Sequence, residues 1–464
     1  MDAESRSLFV PPKPPVPSGS LPLRAFLRAI RTNALTSWPE AAYHEPLLRR
    51  NFLGRTNLLL NTPDAIHRVL VDNPSNYRRS PASIRILRPI TGEGLLLSEG
   101  DTWRLQRRTI APSLGPRVMP LLARHIVATT HEGLDALHDR IAEPVDMLAT
   151  MQSLTLEIAG RSMFSREMQQ YGPDMRRMLV EYAEHYARPH LLDLLLPASV
   201  PAPRDFGRRR FQTRWMRLIE AIMRDRLHAP PPDAPRDLFD LLRAARDPDT
   251  GAGFSANQLR DQVATLILAG HETTAVALFW SMTLLAQAPV EQQRLADEAA
   301  CVTITPDTAM PALAQLPRAR AALSESLRLF PPAFLIVREA IGPDRIGEQL
   351  VGRRDVVMIA PWVLHRHHAL WRNPDAFDPS RFLPDAPPPP RFAYLPFGAG
   401  PRICVGAQFA LTEATLVLAA MMQRFQVSLE STRPVLPVGV ITTQPDHAPV
   451  FRLRPRGAPR QEER

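Results

Sequence analysis

The stretch Phe397-Gly398-Ala399-Gly400-Pro401-Arg402-Ile403-Cys404-Val405-Gly406 decides the reading of this chain. Two glycines and a proline force a tight loop, and an apolar-periodic run from Ala407 to Phe425 follows it as a helix. One sulfur is thereby presented immediately before a helix start. Backbone N–H groups there can face the sulfur and stabilise its thiolate, and Arg402 adds a positive charge two residues away. Out of context a lone cysteine is a small buried hydrophobe. Cys301, the other of the 2 cysteines, reads as an ordinary core or surface residue.

Working outward, Val263 to Leu285 is strongly apolar but carries His271, Glu272, Thr273 and Thr274 in its middle. A spanning helix needs about 20 predominantly apolar residues with few charges, so a buried helix and no membrane span are expected. Ser255 suits an N-cap, and the helix should run to Gln287, before Pro289. A mid-helix threonine ordinarily bonds back to the carbonyl four residues earlier, which for Thr273 is Ala269. A buried, unpaired carboxylate such as Glu272 is costly and asks for a reason. A second helix is read from Pro311 to Phe330, halted by Pro331 and Pro332, with Glu325 and Arg328 on one face. Leu121–Arg140, Arg208–Leu227 and Asp101–Arg108 also have helical spacing, and the last places Trp103 and Arg107 one turn apart. From Phe334 to Met358 the pattern changes to short β-branched runs. Proline-rich breaks at Ala229–Pro235 and Pro384–Pro390 read as loops. Mostly helix with small sheets and no clean linker predicts one large, mainly α domain over residues 21–464. Before it, residues 1–20 form a proline-rich leader expected to be extended and disordered.

Composition narrows the class. At 464 residues, 45% hydrophobic and 22% charged, the chain is ordinary globular material, so wholesale disorder is excluded. Two cysteines exclude a disulfide framework and point to a reducing, cytoplasmic setting. The net charge of +9 is carried by arginine, Lys13 being the only lysine. The arginines are scattered and accompany no recognition motif, so nucleic acid is not an expected partner. The N-terminus has no apolar stretch of signal-peptide length.

The cysteine loop resembles the haem-binding loop of the cytochrome P450 family, matching Phe397, Gly398, Gly400, Arg402, Cys404 and Gly406 at every constrained position. The resemblance implies a P450-type fold in which Cys404 ligates the iron of haem b (iron protoporphyrin IX) and Arg402 pairs with a haem propionate. In this class the axial thiolate donates electron density that favours O–O cleavage. Ala269-Gly270-His271-Glu272-Thr273-Thr274 is similar to the family's oxygen-activation motif. There Ala269 and Gly270 leave space for O2, while Glu272 and Thr273 relay protons to it. Ser324–Arg328 is similar to the Glu-x-x-Arg motif, which implies a buried network of Glu325, Arg328 and Arg381 that supports the fold. Trp103 and Arg107 match the helix that meets a propionate, and Arg338 matches another propionate position. His365 reads as structural. By position, Thr265, Ala269, Ala333, Phe334 and Leu335 are the expected substrate contacts.

The function implied is a haem-thiolate monooxygenase that inserts one oxygen atom of O2 into a lipophilic small molecule. Electrons would come from NAD(P)H through a separate ferredoxin or flavodoxin-type partner, because the stretch after Gly406 is too short for a flavin reductase. Arg104, Arg108 and Arg402 are expected to flank the face where that partner docks, and the chain is expected to be a monomer. Two rivals stay open: a peroxygenase or isomerase, against which the Glu272–Thr273 pair counts, and a non-catalytic haem carrier or sensor.

Overall fold

The computed structural model describes residues 8–52, 54–165, 171–228, 230 and 232–457. Its organising element is the helix Ala256–Gln287. A reciprocal cap sets its start: Ser255 Oγ accepts from the Gln258 N–H at 3.3 Å, and Gln258 Oε1 accepts from the Ser255 N–H at 2.9 Å. Two hydrophobic cores form along it. Leu259 to Ile267 packs with Phe211 and Trp215 of the helix Pro203–His228. Ala275 to Leu285 packs with Met151 and Ile158 of the helix Met147–Phe164, and with the helices Pro317–Leu329 and Ala407–Arg424. Between the two cores one face of the helix is left uncovered, while His271 on another stays buried against Gln152. Ala269 is exposed in mid-helix, and a Cβ on Gly270 would meet nothing within 4 Å. The middle of the longest helix therefore faces open space inside the domain.

A five-stranded sheet borders that space, in the order Leu47–Phe52, Arg55–Leu60, Val356–Ile359, Ile336–Ala340, Tyr77–Arg79. Arg55–Leu60 and Val356–Ile359 run parallel, and the other neighbours antiparallel. The last pairing sets Arg79 opposite Arg338, joining two cations from distant parts of the sequence.

Most predicted helices are present within a few residues, including Met119–His138 and Gly100–Ile110. The run predicted from Pro311 to Phe330 is instead two helices, Ala309–Ala314 and Pro317–Leu329. Pro317 lacks an N–H and disfavours helical backbone in the residue before it, and Leu316 accordingly sits at φ −118°, ψ 47°. The leader also differs from expectation. Residues 1–7 lie outside the described residues, but 8–20, which form no helix or strand, are tied down. The Phe377 N–H donates to Phe9 O at 2.8 Å and the Glu40 N–H to Pro17 O at 2.8 Å, while Phe9 and Val16 pack on the larger core. Prolines limit the entropy lost on ordering such a strap, and its two apolar side chains supply burial.

The cysteine loop tests which glycines the fold requires. Gly400 has φ +70°, and a Cβ there would lie 1.9 Å from Leu70 O. At Gly406 φ is −92° and a Cβ would meet nothing within 4 Å. Gly400→Ala should therefore cost more than about 2 kcal/mol in urea denaturation, and Gly406→Ala less than about 1 kcal/mol.

Candidate active site

A cavity of about 870 Å³ lies between the middle of the long helix and the cysteine loop. That falls in the upper part of the ~300–1,000 Å³ range of small-molecule sites. The loop is shaped by left-handed backbone at Gly398 and Gly400, and is closed by the Cys404 N–H donating to Phe397 O at 2.9 Å. Arg107 reaches across from the helix Gly100–Ile110 and donates to Ile403 O at 2.8 Å. Cys404 is exposed to the cavity that it lines. Burial among the surrounding atoms raises its thiol pKa, opposed by the Gly406 N–H and by Arg107. A backbone N–H does face the sulfur as expected, but desolvation outweighs it, and the cation acting on the thiol is Arg107 where Arg402 was expected. Arg402 turns away, donating to Ser98 O at 3.1 Å and to the Glu99 carboxylate, with its guanidinium 4.5 Å from the Trp103 ring centroid.

Sequence reasoning missed Arg79. It lines the cavity beside Arg338 and Arg402, and its Nε is buried without a hydrogen-bond partner. Burial, then repulsion by Arg338 and Arg402, lowers its pKa to about 9. Burial and Arg402 lower that of Arg338 to about 10. Among the described residues, Glu99 is the one carboxylate acting on either of them. Such a group of cations calls for further anions. The residues of this wall fit a haem: Cys404 would offer its iron a sulfur donor, Arg79, Arg338 and Arg402 would offer its carboxylates cations, and Ala269 and Gly270 carry no large side chain to crowd it.

On the long helix, Thr273 faces the cavity and its hydroxyl donates back to Ala269 O at 2.6 Å. Glu272 also lines the cavity. It accepts from Gln152 Nε2 at 3.4 Å and from Gln444 Nε2, and burial raises its pKa despite these donors. Neither glutamine was predicted, since each comes from a distant segment. Ala333, Phe334 and Leu335 all line the cavity. Thr265 does too, but its hydroxyl is engaged with Asp261 O at 2.7 Å and Thr91 O at 3.2 Å, so its polar group is committed to the protein. Arg104 pairs with Asp101 at 2.6 Å and Arg108 with Asp247 at 3.0 Å, which compensates charge expected to stand free for a partner.

Beneath the loop, Glu325 and Arg328 are wholly buried and paired at 2.7 Å, with Arg381 at 3.4 Å from Glu325. His365 joins this pair to the cysteine loop. Its Nε2 accepts from the Leu395 N–H at 2.8 Å, so its Nδ1–H donates to Arg328 O at 3.1 Å.

The fold, the cysteine loop and the cavity together define a haem-thiolate monooxygenase, and the chain belongs to the cytochrome P450 family, whose model matches residues 17–447. It is 33% identical to cyclooctatin synthase of Streptomyces melanosporofaciens over 419 residues, covering 89% of each chain. To cyclooctat-9-en-7-ol 5-monooxygenase of the same organism it is 27% identical, covering 88% of each. It superimposes on the crystal structure of the cytochrome P450DA heme domain with a TM-score of 0.81 at 24% identity, covering 96% of this chain and 99% of that one. The chain is thus an oxidoreductase that uses haem and O2 to insert an oxygen atom into a lipophilic substrate, with electrons from a redox partner.

The His365 geometry sets a pH dependence. Burial and Arg328 lower its pKa to about 3, against about 6.5 in an unfolded chain. The native ring stays neutral while the unfolded one takes up a proton, so its contribution is full above pH ~6.5 and is lost as pH falls toward ~3. The urea midpoint should drop between pH 7 and pH 5. His365→Gln, less stable at pH 7, should show a shallower acid slope.

Proposed function

We propose that Cys404 is the axial ligand of haem iron, that Arg79, Arg107, Arg338 and Arg402 with Trp103 hold the propionate edge, and that Glu272 and Thr273 handle protons. The observation that carries this reading is one cavity wall bearing a cavity-facing sulfur and arginines whose positive charge a single carboxylate does not balance. Haem supplies activation of O2, and its thiolate ligand supplies the electron density that favours O–O cleavage. The chain's own groups do the rest. Gly398 and Gly400 shape the loop that presents the sulfur, Phe397 O closes it, and Gly406 turns its N–H toward the thiol. Ala269 and Gly270 keep side chains out of the space above it. Burial raises the Glu272 pKa, so its carboxyl can hold a proton nearer neutral pH than an exposed glutamate. Thr273, with its own hydrogen engaged by Ala269 O, offers its oxygen as an acceptor at the cavity surface.

The substrate is an apolar molecule with few oxygens, an alkenol of the kind named in cyclooctat-9-en-7-ol 5-monooxygenase. Leu95, Leu96, Leu266, Leu268 and Phe334 give it an apolar wall. The donor is a ferredoxin or flavodoxin-type protein reduced by NAD(P)H, and the net charge of +9 favours an acidic one. The protein works as a cytoplasmic monomer. Among the described residues, one helix, Ala256–Gln287, is long and apolar enough to cross a membrane, and 67% of its apolar window is buried inside the protein.

The reduced, CO-bound protein should show the red-shifted band of thiolate-ligated haem. Cys404→Ala should abolish it and Cys301→Ala should leave it intact; an unchanged band in the first variant overturns the ligand assignment. Thr273→Ala should retain haem but form several-fold less product per NAD(P)H and release hydrogen peroxide. Equal coupling in variant and wild type would retire the proton role of Thr273.

A further inference from the structure

One face of the long helix does work that the oxygen chemistry does not require. Asp261, Gln262 and Thr265 stand together there, and each side chain reaches the backbone of the loop Thr91–Ser98. The Glu93 N–H donates to Asp261 Oδ2 at 2.9 Å and the Leu95 N–H donates to Gln262 Oε1 at 2.9 Å, while the one hydroxyl hydrogen of Thr265 is shared between Asp261 O in its own helix at 2.7 Å and Thr91 O at 3.2 Å. The loop is built to come this close. A Cβ on Gly92, whose φ is +58°, would lie 2.4 Å from the Asp261 carboxyl carbon, and one on Gly94 would lie 2.1 Å from Thr265 Oγ1. From its other side the loop is held by Gln106, whose Nε2 donates to Glu93 O at 3.0 Å. Arg260 pairs with Asp261 at 2.9 Å and with Glu220 at 2.8 Å, tying in the helix Pro203–His228.

What the loop carries gives the clamp its meaning. Leu95 and Leu96 line the cavity alongside Leu266, Leu268 and Ala269 of the same helix. We infer that the Asp261–Gln262–Thr265 clamp is a specificity-determining device: it fixes the register of the Leu95–Leu96 wall against the long helix and so sets which shape the cavity accepts. Asp261 is a positioning residue, since it meets the loop backbone and acts on the substrate only through it. The inference rests on the reading of the cavity as the substrate site over haem.

The test uses the haem-loaded full chain and two nitrogen ligands, imidazole and 4-phenylimidazole, titrated by the shift of the haem band. Asp261→Ala should weaken 4-phenylimidazole about tenfold and imidazole less than about twofold, because only the larger ligand needs the wall. Hydrogen exchange in the segment 91–98 should quicken at least tenfold while 407–424 is unchanged. Asp261→Asn, which keeps an oxygen for the Glu93 N–H, should restore both measures to within about threefold. Should Asp261→Ala fold poorly, Thr265→Val removes one bond of the clamp at nearly constant volume and should move the same two measures in the same direction. Equal weakening of both ligands, or unchanged exchange at 91–98, overturns the clamp. Failure of wild type to bind either ligand, with no thiolate-type CO band, overturns the haem reading instead.

Discussion

The position of the sulfur depends on a guanidinium with no exposed surface. Arg328 gives two hydrogen bonds to Glu325, both at 2.7 Å, and the rest to the carbonyls of His365 at 2.7 Å, Pro374 at 2.6 Å and Ala376 at 2.9 Å. Glu325 also accepts from the Asp378 N–H at 2.9 Å. One carboxylate and three carbonyl dipoles thus carry a charge that would be prohibitive to bury alone, and losing one partner of such a pair costs about 3–5 kcal/mol. The segment from His365 to Asp378 has little regular structure of its own, and these bonds hold it against the helix Pro317–Leu329. His365 passes the constraint on to Leu395, two residues before the cysteine loop begins.

The opposite side of the loop is held differently. Arg107 caps Ile403 O, and Arg402 bonds Ser98 O, at the end of the loop that Asp261 and Gln262 fix to the long helix. Ser98 itself donates to Gln106, which holds Glu93. The two walls of the cavity are therefore not independent. A continuous set of hydrogen bonds joins Arg402, two residues before the cysteine, to the face of the long helix.

Local signals carried much of the fold into the sequence. Ser255 and Pro289 bound the long helix because caps and breakers act within a turn or two. The same locality explains the failures. Apolar periodicity continued through Gln315 and Leu316, and Pro317 overrode it. The leader read as disordered because nothing within it reveals that Phe9 and Val16 have a core to reach. At the site, Cys404, Arg402, Glu272 and Thr273 lay in recognisable runs. Arg79 belongs to a three-residue strand with no periodic signal, and its meaning comes from Arg338 and Arg402, brought beside it only by the fold. Gln152, Gln444, Asp261 and Gln262 were hidden for the same reason: a polar side chain that bonds to a distant segment resembles any other in the sequence.

The charge arrangement of the cavity follows from one cause acting on unlike groups. Desolvation raises the Cys404 thiol and the Glu272 carboxyl and lowers Arg79 and Arg338. Each shift favours the neutral form, and each is reversed by a particular neighbour: a metal cation deprotonates a coordinating thiol, and a carboxylate holds a guanidinium charged. The sulfur and the arginine cluster lie on one wall, so a single ligand with a metal at its centre and carboxylates on one edge satisfies both. Glu272 stands on the other wall, held by Gln152 and Gln444, whose neutral amides hydrogen-bond it without supplying a cation. Burial therefore raises its pKa in spite of these bonds. The arginine cluster and the carboxyl with the raised pKa are thus kept apart on two walls of one cavity.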